Sequence, residues 1–412
     1  MQKRINLIIV SGIILFLSIP VIAQNSTNSP YTRYGYGELA NRSFGAGRSM
    51  GGVGIGLRSS KQINPMNPAS YSSMDSMTFL FDFGASAQLS WFDDGINKQN
   101  DINGNVEYMA MQFPIHKQAA MSVGMMPYSH VGYLFSETKT SNEQTYMETF
   151  AGTGGLNQLY AGLSIDIWKK RLSIGSNINY LFGSTVHSSE TRYVSTNSTT
   201  VENSKTFKVN DMTLDFGLQY THPLSKTDNV IFGLTFSPKK RLNGDMYERV
   251  RSGNETISDT VNQAYDKPAE FGFGVSYVRE NKFIAAADFS YQQWSKALFA
   301  DKSGEFKNRT KLSAGFEYIP NLYSRPYLNR TRYRAGLNYT NSYVLVNGGG
   351  YKEYGAMVGV GLPISDNRSF INVSFEYLMI KADQKNMIDE NYLRMTLSYT
   401  FNEFWFFKRK VD

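Results

Sequence analysis

Two stretches, Ile371-Asn372-Val373-Ser374-Phe375-Glu376-Tyr377 and Leu393-Arg394-Met395-Thr396-Leu397-Ser398-Tyr399-Thr400-Phe401, decide the fold. Apolar side chains alternate one for one with polar side chains. A period of two puts an apolar row on one face of an extended chain and a polar row on the other. The pattern recurs outward from there. Tyr333, Ala335, Leu337 and Tyr339 oppose Arg334, Gly336 and Asn338; Phe271, Phe273, Val275 and Tyr277 oppose Glu270, Gly272, Gly274 and Ser276; Met212, Leu214, Phe216, Leu218 and Tyr220 oppose Thr213, Asp215, Gly217 and Gln219. Strands are predicted near 78–92, 105–114, 118–137, 157–169, 171–195, 205–222, 228–251, 267–280, 282–298, 309–320, 332–346, 353–364, 368–383 and 391–404. That is an even number, and several exceed the length usual in a soluble sandwich. With no second sheet to cover the apolar face, lipid must do so.

Connection lengths and aromatic placement agree. Pro114 to Lys117, Lys169 to Arg171, His222 to Asp228, Glu280 to Lys282 and Ser365 to Arg368 are short turns, whereas Asp93 to Gly104, Ser195 to Lys205, Arg251 to Asp266 and Asp301 to Asn308 are longer and polar. Short periplasmic turns and longer outer loops are the habit of outer-membrane barrels. Pro320 to Thr331 breaks the rule. Tyr220, Tyr277, Tyr318 and Tyr399 fall near strand ends, where an amphipathic ring sits at the lipid headgroups. The expected fold is all-β, a 14-stranded antiparallel transmembrane barrel with an N-terminal hatch in its lumen.

The chain has 412 residues, 35 glycines, 27 tyrosines, 27 phenylalanines and no cysteine. Absence of cysteine excludes disulfides, thiolate metal sites, a cysteine nucleophile and a lipid-modified N-terminal cysteine. Lys3 and Arg4 precede the apolar run Ile5 to Ile22, and Val21-Ile22-Ala23 precedes a cut before Gln24, so residues 1–23 read as an export signal. Without Lys3 and Arg4 the formal charge of +7 falls by two, which gives no reason to expect a nucleic-acid partner. The four histidines, His116, His130, His187 and His222, have no carboxylate at metal spacing. No catalytic set, metal or cofactor emerges.

Residues 24–77 fall outside the strand pattern. They are rich in glycine and arginine, and a lumen of this width leaks unless filled. Gly51-Gly52-Val53-Gly54-Ile55-Gly56 has the look of a phosphate loop but lacks a surrounding βαβ unit, so it reads as flexible hatch chain. The expected domains are the signal (1–23), the hatch (24–77), the barrel (78–404) and a periplasmic tail (405–412).

Ser43-Phe44-Gly45-Ala46-Gly47-Arg48-Ser49-Met50-Gly51-Gly52, leading to Asn67-Pro68-Ala69 just before the first strand, resembles the FadL/TodX (OMPP1) family of outer-membrane transport proteins. Gly152-Thr153-Gly154-Gly155-Leu156, Asn179-Tyr180-Leu181-Phe182-Gly183 and the tail Phe401 to Lys410 resemble its Bacteroidetes form. The resemblance implies fourteen strands, a hatch bearing Asn67, Pro68 and Ala69, a hydrophobic ligand, and sideways exit into the membrane at a kinked third strand. Here that strand holds Gly124-Met125-Met126-Pro127, and proline withholds a ladder hydrogen bond. This is either a lateral opening or an ordinary bulge. Met109, Met111, Met121, Met125 and Met126 crowd the second and third strands, lining a greasy path or facing lipid.

Loops of about ten to twenty residues leave little for a capture groove. Fatty acid is therefore a doubtful cargo, whereas another hydrophobic or amphipathic compound fits. Alternation turns Asp166, Asp215, Glu270, Asp288, Glu317 and Glu376 inward with Arg334 and Arg394, and the hatch carries Arg33, Arg42, Arg48, Arg58 and Lys61 against Glu38 and Asp75. Arg48 and Arg58 are expected to pair with wall carboxylates, Asp215, Glu270, Glu317 and Glu376 among them. The alternative function is a structural or assembly subunit of a larger outer-membrane complex. The aromatic and basic tail, Trp405, Phe406, Phe407 and Lys408 to Lys410, would then dock an envelope partner or anchor in lipid. A polar-solute porin is disfavoured by the hatch.

Overall fold

The computed structural model describes residues 26–141, 144–168, 171–193, 200–261, 263–346, 348–364, 367–384 and 387–405. The proposed signal, and all of the tail beyond Trp405, lie outside the described residues. In chain order the strands are β1 (Glu38–Leu39), β2 (Thr78–Asp93), β3 (Lys98–His116), β4 (Ala119–Ser141), β5 (Gln144–Trp168), β6 (Leu172–Tyr193), β7 (Val201–Pro223), β8 (Asp228–Ser237), β9 (Lys240–Leu242), β10 (Gly244–Ser252), β11 (Glu255–Val261), β12 (Tyr265–Lys267), β13 (Glu270–Arg279), β14 (Phe283–Gln292), β15 (Arg309–Tyr318), β16 (Arg332–Asn341), β17 (Tyr351–Pro363), β18 (Phe370–Ala382) and β19 (Asp389–Phe404). Strands β2 to β8 and β13 to β19 pair antiparallel in sequence, β13 joins β8, and β19 returns to β2 from Asp389↔Asp93 to Phe404↔Thr78. The result is a closed 14-stranded barrel.

The lipid face follows the alternation. Phe216, Phe273, Leu312, Leu337, Phe375 and Leu393 are exposed on it, while Asn177, Gln219, Asn372, Glu376 and Ser398 are buried inside. Tyr318 and Tyr399 are exposed near strand ends, and Tyr277 donates to Asp228 Oδ1 at 2.7 Å.

Boundaries differ where local chemistry overrides the pattern. The strand predicted to reach residue 251 stops at Ser237, because Pro238 cannot continue the ladder. The chain then climbs through β9 and the β10–β11 hairpin, whose β10 pairs with the upper half of β7 from Gly244↔Val209 to Ser252↔Val201. The strand predicted to begin at 157 begins at Gln144. Gly154 and Gly155, at φ +105° and +156°, let β5 pass within the ladder where another residue would have broken it. β14 stops at Gln292 and β16 at Asn341, shorter than their alternation suggested, because the chain beyond turns into the buried cluster described below. The long connection 319–331 is accounted for by packing. It buries Ile319 and Leu322, and Tyr327, in its one helical turn, donates to Pro363 O at 3.0 Å.

Candidate functional site

The residues before β2 sit against the inner wall, and glycine makes the contact possible. Along the inward rows stand Gly175, Gly217, Gly233, Gly274, Gly315, Gly336 and Gly359, one on each of seven strands. A Cβ at Gly217 would lie 2.1 Å from Asn67 Oδ1, one at Gly233 2.0 Å from Ile55 O, and one at Gly336 2.1 Å from Gly51 N. At Gly233, Gly315 and Gly336 hatch backbone therefore meets wall backbone with no side chain between them, while at Gly217 and Gly359 the Asn67 and Ser49 side chains fill the space.

Asn67, wholly buried, organises the seat. Its Oδ1 accepts from Ala69 N at 3.1 Å and its Nδ2 donates to Ile55 O at 2.8 Å, capping the short 3-10 helix Pro68–Ser73. Pro68 packs over Gly175 and Gly217, and Ala69 O accepts from Arg58 at 2.8 Å and Ser164 at 2.9 Å. The glycine loop is not free chain. The amides of Gly54, Ile55 and Gly56 donate to the Asp288 carboxylate at 2.6, 2.8 and 3.3 Å. It cradles an anion as its composition suggests, but the anion is a wall side chain.

Hatch arginines complete the seat. Arg48 pairs with Glu107 at 2.6 Å and with Glu376 at 3.9 Å; Arg58 pairs with Asp166 at 2.7 Å. Asp215 and Glu270 instead face Arg42, at 2.7 and 3.7 Å. Glu317 meets no hatch residue among its ion pairs, because Arg332 and Arg334 beside it on the wall reach it first, at 2.8 and 2.7 Å. Glu107 escaped the sequence reading because of a register shift in the β2–β3 ladder between Gly84 and Ala85, which turns Glu107 and Tyr108 both inward.

The β3–β4 seam has the shortest ladder in the ring. Its ladder runs only from His116↔Ala119 to Met109↔Met125, although both strands continue upward. Above Met125 the β4–β5 register shifts between Pro127 and Ser129. The free edge of β4 is taken by the hatch. β1 pairs with it at Leu39↔Ser129 and Glu38↔His130, and Ala40 N donates to Tyr128 O at 3.0 Å. Thr32 Oγ1 donates to Gly132 O and accepts from Gly132 N, both at 3.2 Å. On the other lip Asn105 Nδ2 donates to Ser26 O at 2.9 Å. Ser29 donates to Glu390 at 2.7 Å and Tyr31 to Ile388 O at 2.6 Å. Residues 26–40 thus form a strap across the seam. Gly124, Met125, Met126 and Pro127 lie where the ladder ends. Met109, Met111 and Met125 are exposed on the lipid side, while Met126 is buried.

Above the strap the barrel mouth is closed by a buried aromatic cluster that includes Tyr36, Phe207, Tyr265, Trp294, Phe306 and Tyr343. Tyr36 ties the strap into it: its amide donates to Tyr343 Oη at 3.0 Å, and its own hydroxyl donates to Asp266 O at 3.2 Å. Between cap and hatch remain two small charged cavities, of about 60 and about 80 Å³, with Arg309 and Lys311 on the wall of both. Outside the seam a cleft of about 520 Å³ lies between Ile102 on β3 and Leu134 on β4, over Asn28 and Pro30.

These features define a plugged, closed β-barrel with an apolar outer face and one under-paired seam. The sequence pattern of the BamG family matches residues 1–412, and the chain belongs to that family. Comparison with curated proteins gives no match. Among solved structures the barrel is similar to a Pseudomonas aeruginosa FadL homologue (12% identity, TM-score 0.59, covering 88% of this chain and 99% of that one). It is similar also to the CymD monoaromatic hydrocarbon channel (15%, 0.57, 87% and 97%) and to the Ralstonia pickettii toluene transporter TbuX (14%, 0.55, 87% and 98%). At these identities the likeness is one of fold.

Proposed function

We propose that this protein is an outer-membrane channel for hydrophobic or amphipathic small molecules, releasing them sideways into the membrane through the β3–β4 seam, with the short turns facing the periplasm. The export signal (1–23), hatch (24–77), barrel (78–404) and tail (405–412) belong to this reading, and it is non-catalytic. The observation that carries it is the ladder that stops at Met109↔Met125, leaving the upper β4 edge held by a hatch strand instead of β3. Solved barrels of this fold that are a toluene transporter and a hydrocarbon channel support it.

A disulfide lock tests it directly. Leu39 and Ser129 are opposed in an antiparallel pair, within the Cα range a disulfide spans, and the chain has no other cysteine. Leu39→Cys with Ser129→Cys should abolish uptake of a fluorescent monoaromatic probe by oxidised cells and restore it on reduction. Equal uptake in both states would end the lateral-seam reading.

Two observations favour the second reading, a structural or assembly subunit: the glycine row seats the hatch against the wall backbone, and the aromatic cluster fills the mouth. A barrel recovered from mild detergent in fixed ratio with envelope proteins, and inert in the uptake assay, would support that reading.

A further inference from the structure

The glycine row has an outer face as well as an inner one. Gly175 and Gly217, with Gly272 beside the row, also line a concavity on the lipid side of the barrel, of about 1020 Å³. It crosses β5, β6, β7, β8, β13 and β14, with walls built from Leu163, Ile174, Phe216, Leu234, Phe271 and Phe289. Pro68, Asn67 and Ile55 seat on the inner side of Gly175, Gly217 and Gly233, and the lipid face carries the hollow at the same strands. At about 4.8 Å per strand the hollow spans roughly 24 Å, the length of an extended long acyl chain.

Its lower end has charge. Ala119 and Ile165 border the hollow close to the short turns. There Lys117 and Arg171 are exposed, without an ion pair among the described residues, and Arg171 lies 5.9 Å from the ring centre of Trp168, which is itself exposed. An indole with two free cations at a membrane boundary suits the phosphate of a phospholipid head. Bulk lipid covers any barrel, but a concave wall holds a chain along more of its surface than a convex wall does.

We propose that this hollow is a binding site for one glycerophospholipid, its phosphate on Lys117 and Arg171 and an acyl chain lying across Phe216, Leu234 and Phe271. In the orientation adopted above, the lipid comes from the periplasmic leaflet. The site does not depend on transport.

The test is native mass spectrometry of the full chain, reconstituted with phosphatidylglycerol and then extracted into mild detergent. The wild type should retain one phospholipid per barrel. Lys117→Gln with Arg171→Gln should lower its occupancy at least tenfold, and Leu234→Trp, which fills the hollow, should do the same. Lys98→Gln with Lys381→Gln, at the opposite end of the barrel, should leave it unchanged. Heat-modifiable gel mobility checks that each variant is folded. Equal retention in all variants would mean an adventitious lipid only and would overturn the site, as would no retained lipid or a second copy of the chain in its place.

Discussion

Asp288 shows what a single residue contributes. A carboxylate facing three consecutive amides is a strong acceptor, and removing it leaves buried N–H groups with no partner. Asp288→Ala should weaken seating of the hatch by on the order of 3 kcal/mol. The expected result is a hatch cut by protease in folded barrels that resist it in the wild type; unchanged resistance would show that the glycine contacts suffice alone. Gly37 is the counterpart in the strap. At φ +86° it has a backbone that side chains disfavour, and a Cβ there would lie 2.3 Å from His130 O.

At the scale of the element, the strap is held by a buried acid. Glu390 opposes Phe92 in the ladder, and its carboxylate accepts from the hydroxyls of Ser29 and Tyr392. Removing it leaves two buried hydroxyls short of an acceptor. A spin label at Asn28→Cys should therefore be immobile in the otherwise unchanged barrel and more mobile once Glu390→Ala is added; equal mobility in the two would show that the strap is held without this acid.

Elements also mark what was legible in the sequence. Long alternation fixed strand identity and count, because lipid outside and polar lumen inside enforce a period of two. Gly217, Gly233 and Gly274 stood at inward positions of that pattern, yet their purpose is visible only once the hatch lies against them. The strap was hidden for the opposite reason. β1 has two residues, too few to show a period, and its partner lies some ninety positions away. Arg48 and Arg58 were legible as wall-pairing cations, but Glu107 was masked by the register shift, and Glu317 was claimed by its neighbours.

For the whole molecule, hatch, strap and cap act as one closure. The hatch lies directly against the wall backbone, the cap is anchored through Tyr36, and the strap joins them across the β3–β4 seam. The proposed lateral route requires this seam to open when the strap leaves. The most direct measurement is the distance between spin labels at Ile102→Cys and Leu134→Cys, on the two lips, with and without Gly37→Val in lipid nanodiscs. One short distance with the strap docked, and an added longer population in the Gly37→Val barrel, is the predicted result. A single identical distance in both would show the seam closed by the wall itself and contradict the account.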